Sequence, residues 1–95
     1  MQTSINGLNF IKKHEGLRLE AYKDVAGYWT IGYGHLIHIP TEEYFISQPI
    51  TEETATNILQ EDVKKCEVCV AVHVQVKLNQ NQYDALISFI FNLGC

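Results

Sequence analysis

Apolar residues recur at Ile5, Leu8 and Ile11, the three-and-four spacing of one helix face, with Lys12 and Lys13 following and Gly16 as a stop. This predicts a short helix over Ser4–His14, with Glu15 standing where it ends. From Leu17 to Ile39 the period changes. Tyr22, Tyr28, Trp29, Ile31, Tyr33, Ile37 and Ile39 favour strands, while Asp24 to Gly27 and Gly32 to Gly34 supply turns. The pattern predicts a small antiparallel sheet, with Asp24 at a strand end and Thr30 on the next strand.

A polar connection of unspecified shape follows from Pro40 to Pro49. Thr51 then caps a long helix, with Glu52 and Glu53 in its favourable first turn. Ala55, Ile58, Leu59, Val63, Cys66, Cys69 and Val70 mark its apolar stripe, so this helix is expected to run to about Val70. Val72, Val74, Val76 and Leu78 alternate with His73, Gln75 and Lys77, the period of an extended segment. Asn79 and Gln82 have the spacing of a capping box and open a last helix through Leu93, ended by Gly94. That helix carries Leu86, Ile87, Phe89, Ile90, Phe91 and Leu93 with few polar interruptions, and a helix apolar on all sides expects burial on all sides.

At 95 residues the chain has room for one small α+β domain, residues 1–95, with one modest core. A hydrophobic content of 46% and a charged content of 19% describe a globular chain. The net charge of −4 argues against a nucleic-acid binder and gives no help in approaching anionic surfaces. No apolar run approaches the roughly 20 residues that cross a bilayer, and the first residues lack the regions of a signal peptide. Three cysteines, Cys66, Cys69 and Cys95, are an odd count and read as free thiols packed as small apolar residues. Cys66-x-x-Cys69 has no second pair or nearby histidine to complete a metal site, and His35 likewise has no ligand set spaced around it. His14 is expected to face solvent.

The chemistry concentrates in residues 14–35. Glu15, Asp24 and Thr30 put two carboxylates and a hydroxyl on a helix end, a turn and a strand. Two carboxylates in one site are the minimum equipment for cleaving a glycosidic bond, one donating a proton and the other dealing with water or the sugar cation. Tyr22, Trp29 and Tyr33 are candidate sugar-stacking rings, one or two of which are expected to line the site.

The E-x8-D-x5-T spacing of Glu15, Asp24 and Thr30 resembles the active-site segment of phage lysozymes, the endolysins of glycoside hydrolase family 24. The strand Thr30-Ile31-Gly32-Tyr33-Gly34-His35 also matches it, and about twenty consecutive positions fit. The resemblance implies a lysozyme-like fold and a muramidase that hydrolyses the β-1,4 bond between N-acetylmuramic acid and N-acetylglucosamine in peptidoglycan. It implies Glu15 as general acid, Asp24 and Thr30 positioning water, and inversion at the sugar carbon. It implies a structural ion pair between His35 and Asp62, and no cofactor or metal. Such an enzyme waits in the bacterial host cytoplasm until it is released to the periplasm and wall.

The resemblance runs through the last helix, where family members continue into a second helical lobe; it implies residues 1–70 as the catalytic lobe and long helix and 71–95 as the start of the truncated helical lobe. The alternative reading is therefore a shortened, weakly active or inactive lysozyme-fold module that binds or assembles at the wall. An uncovered last helix would also favour a homodimer through its apolar face.

Overall fold

The computed structural model describes all residues, Met1–Cys95. It contains helix α1 (Ile5–Glu15), strands β1 (Arg18–Lys23), β2 (Trp29–Gly32) and β3 (His35–Leu36), and a single 3-10 turn (Glu43–Ile46). Helices α2 (Glu52–His73) and α3 (Gln80–Leu93) complete it. The architecture is the expected α+β. The chain forms two compact units, Glu15–Leu59 and Met1–His14 with Gln60–Cys95. The division falls inside α2 and at the last residue of α1, because the first helix packs with the last one.

The unit of residues 15–59 is built on an antiparallel sheet of order β1-β2-β3. Tyr22 pairs with Thr30 and Lys23 with Trp29, and the ladder is irregular between Arg18 and Tyr22. On the other side Thr30 pairs with Leu36 and Ile31 with His35. Ile31, Ile37, Ala55 and Leu59 are buried and form the core of this unit, joined by Tyr33. Burial of each large apolar side chain contributes about 1.5–3 kcal/mol, so this small cluster fixes which sheet face points inward. Thr51 caps α2 as expected, its Oγ1 accepting from the Thr54 N–H at 3.1 Å. The segment left open in the sequence contains the 3-10 turn and docks on β1 through the Ile50 N–H, which donates to the Leu19 carbonyl at 2.8 Å.

In the other unit, Ile11, Val63, Cys66, Val70, Tyr83 and Ile87 are buried. Ile5, expected on the inner stripe of α1, is 73% exposed. The inner face turns instead on Gly7 and Ile11. A Cβ at Gly7 would lie 2.7 Å from Asp84 Cγ, so the missing side chain lets α1 and α3 approach closely. Asp84 ties them together: it accepts from the Ser4 N–H at 3.0 Å and from the Ser4 hydroxyl, and from Gln80 Nε2 at 2.9 Å. Burial pushes the Asp84 carboxyl up, but these hydrogen bonds outweigh it and hold the group below its ordinary value.

The stripe Ala55, Leu59, Val63, Cys66 and Val70 is buried as the sequence predicts, but α2 continues to His73 before residues 74–79 leave regular structure. The Asn79–Gln82 capping box is present in full. The cysteines require a correction. Cys69 and Cys95 form a disulfide that ties α2 to the residues after α3, while Cys66 alone is a free, buried thiol. Helical packing gave no sign of this pairing, because Cys95 lies 26 residues away and beyond the last helix. A histidine also lies near this pair: donor atoms of Cys69, His73 and Cys95 fall within 4.8 Å of one another, although the disulfide withholds both sulfurs from a metal.

Candidate active site

Glu15 is the last residue of α1 and is half-buried. Its side chain lies over Gly34 in the β2–β3 turn, where an added Cβ would come 3.1 Å from Glu15 Cδ and closer still to Oε1. Gly34 has φ 76°, so this residue serves two needs: it accepts a left-handed turn conformation and it leaves room for the carboxyl. A helix end and a tight hairpin thus hold Glu15 between them.

Asp24 follows β1 directly. Its Oδ1 accepts from the N–H groups of Ala26 and Tyr28, both at 2.9 Å. The backbone closes the same turn, with Asp24 N–H donating to the Tyr28 carbonyl and Gly27 N–H to the Asp24 carbonyl, each at 2.9 Å. One carboxylate oxygen therefore builds the turn and the other, Oδ2, is left to act on solvent. The turn role of this aspartate is met by Oδ1 alone.

Thr30 is 3% exposed, and its hydroxyl donates to the Tyr28 carbonyl at 3.1 Å. Tyr28 thus links the pair: its N–H reaches Asp24 and its carbonyl reaches Thr30. The oxygen of Thr30 keeps its lone pairs for a further donor, such as a water.

The three candidate stacking rings separate. Tyr22 and Trp29 are half-buried on adjacent strands, with the Arg18 guanidinium 4.2 Å from the Tyr22 ring centre and Lys23 Nζ 5.3 Å from that of Trp29. Tyr33 is only 6% exposed and belongs to the core, so it offers no open face for a sugar. In sequence, an aromatic flanked by two glycines reads equally well either way. Outside this group His14 is exposed as expected and stacks on Phe10 at 5.2 Å, a helical i,i+4 contact.

His35 is buried at 7% exposure, and its Nε2 lies 2.9 Å from Glu42 Oε1. The same oxygen accepts from the His38 N–H at 2.9 Å. Burial raises the Glu42 carboxyl, but the His38 backbone, the His35 side chain and the charge of both imidazoles draw it below the usual value. The sequence reading missed Glu42. Its only signal was a carboxylate seven residues beyond His35 in a loop of unspecified shape.

The family model for phage lysozyme matches residues 12–95. The chain belongs to the phage lysozyme family. It is 45% identical to the endolysin of Acyrthosiphon pisum secondary endosymbiont phage 1 over 94 residues, covering 99% of this chain and 61% of that protein. Among solved structures, a P22 lysozyme mutant superposes with a TM-score of 0.84 at 44% identity, covering 99% of this chain and 64% of the other. A putative phage endolysin from S. enterica superposes with the same TM-score at 32% identity, and there 98% of this chain matches 95% of the other. The chain therefore spans less than two thirds of the length of its endolysin relatives and nearly the whole of one shorter structure. The matched region encloses Glu15, Asp24, Thr30 and His35.

Proposed function

We propose that the chain is a peptidoglycan muramidase of the endolysin type, cleaving the β-1,4 bond between N-acetylmuramic acid and N-acetylglucosamine. The observation that carries this reading is the coexistence, in one compact unit, of a helix-end Glu15 backed by the β2–β3 turn and an Asp24–Thr30 pair joined through Tyr28. Glu15 donates a proton to the leaving glycosidic oxygen, which makes the sugar a competent leaving group. Asp24 Oδ2 and the Thr30 oxygen hold the attacking water and orient it toward the oxocarbenium-like carbon, and Asp24 accepts the proton that the water loses as the new C–O bond forms. Water arriving opposite the leaving group gives inversion. Tyr22 and Trp29 present half-open faces on which sugar rings stack.

In the same reading the enzyme passes from the host cytoplasm to the wall at lysis. No helix is long and apolar enough to cross a membrane. Clearing of permeabilised Gram-negative cells tests the proposal. The wild-type chain is expected to lower turbidity, and Asp24→Asn to slow clearing by about 10² or more, the usual range for loss of a proton-handling group. A folded wild-type chain that binds walls without clearing them would favour the binding-module alternative.

A further inference from the structure

From the start of β3 onward the chain gathers three donors that sequence spacing alone did not reveal as a set. His35, His38 and Glu42 place one imidazole nitrogen each and a carboxylate oxygen within 4.8 Å of one another. They lie on a single stretch of eight residues inside one compact unit. His35 is buried, Glu42 is about one quarter exposed and His38 is exposed, so the donors run from the interior to solvent and an ion has a path in.

We propose that His35, His38 and Glu42 form a binding site for a divalent transition cation of the zinc class. Two imidazoles and a carboxylate are a donor set suited to zinc and related ions, and three protein ligands leave a fourth position for water. In a tetrahedral zinc site nitrogen and oxygen donors stand about 3.4 Å apart, as follows from bond lengths near 2.1 Å. His35 Nε2 and Glu42 Oε1 are already at 2.9 Å, and only small side-chain adjustments bring His38 to the same spacing.

A simple ion pair accounts for His35 and Glu42 but not for His38. Glu42 needs only the His38 backbone N–H, yet the His38 ring is also turned edge-on to His35 at 5.8 Å. That ring brings a nitrogen toward a carboxylate already held in place, the kind of preorganisation a cation site requires. On binding, the ion replaces the proton shared between His35 and Glu42, and that proton leaves to solvent. The consequence is mechanical: the start of β3 becomes cross-linked to the residue that precedes the 3-10 turn, independently of whether the chain cleaves glycan.

The test is a zinc titration of the full chain with its Cys69–Cys95 disulfide intact, which keeps the thiol cluster out of play. Calorimetry should give one ion per chain, and NMR should show the ring resonances of His35 and His38 moving while those of His14 and His73 stay. His38→Ala and Glu42→Gln should each weaken binding at least about tenfold, the least expected for one lost ligand among three. His73→Ala should bind like wild type. His38 is exposed, so its variant reports on the site even if Glu42→Gln unfolds. No binding heat and no His35 or His38 shift would overturn the proposal. So would wild-type affinity in His38→Ala, or loss of binding in His73→Ala.

Discussion

Asp24 shows how one side chain can be read as structure and as chemistry without contradiction. Because Oδ1 accepts two turn hydrogen bonds, Asp24→Asn should keep the turn, its amide oxygen accepting from the same N–H groups. Asp24→Ala should lose both, at about 0.5–1.5 kcal/mol each. Thermal unfolding is therefore expected to separate the two variants, while both lose clearing activity; equal stability would refute the turn role. Gly34 gives the complementary case. Gly34→Ala places a Cβ against the Glu15 carboxyl in a backbone of φ 76° and should cost about 1–3 kcal/mol in strain. It should also displace the carboxyl, so activity measured well below the melting temperature falls further than the unfolded fraction explains. A variant with reduced stability but undiminished specific activity would show that Glu15 does not depend on this turn.

Among the elements, those with a strong local period were legible in sequence. The stripe of α2, the capping box of α3, and the placing of Asp24 and Thr30 at a strand end and on its neighbour all follow from spacing. What spacing could not supply were contacts made between distant elements. Ile5 lost its place on the inner face to Gly7, because close approach to Asp84 decided the rotation of α1. The Cys69–Cys95 pairing and the meeting of His35 with Glu42 depend on paths through loops that carry no period. Two measurements probe these non-local ties. Asp84 has a carboxyl held below its ordinary value of 3.8, so its hydrogen bonds to Ser4 and Gln80 stabilise the fold above that pH. That contribution is lost as pH falls through the lower folded value. Denaturant midpoints of wild type should drop across this window, and Asp84→Asn should flatten that part of the profile; an unchanged slope would remove Asp84 from the α1–α3 tie. Reducing the disulfide, which closes a 26-residue span, should lower stability by about 2–4 kcal/mol, read from unfolding with and without a thiol reductant.

For the whole molecule, the outer side of α3 remains to be explained. Phe89 is 61% exposed and Leu93 70%, while Ile87 and Tyr83 on the same helix are buried. We propose that this apolar side joins two copies of the chain, since burying several such side chains at about 1.5–3 kcal/mol each favours association. Light scattering at micromolar concentration should give a dimer mass that Phe89→Asp returns to monomer; a monomer in both refutes it. The proposed catalysis is a separate matter, and in that reading it rests on Glu15. The most direct measurement is mass spectrometry of the fragments released from purified peptidoglycan by wild type and by Glu15→Gln. Wild type should release muropeptides with a hydrated, reducing N-acetylmuramic acid end, while the isosteric variant stays folded and releases essentially none. Comparable release by Glu15→Gln, or anhydro ends from wild type, would contradict hydrolysis with Glu15 as the acid.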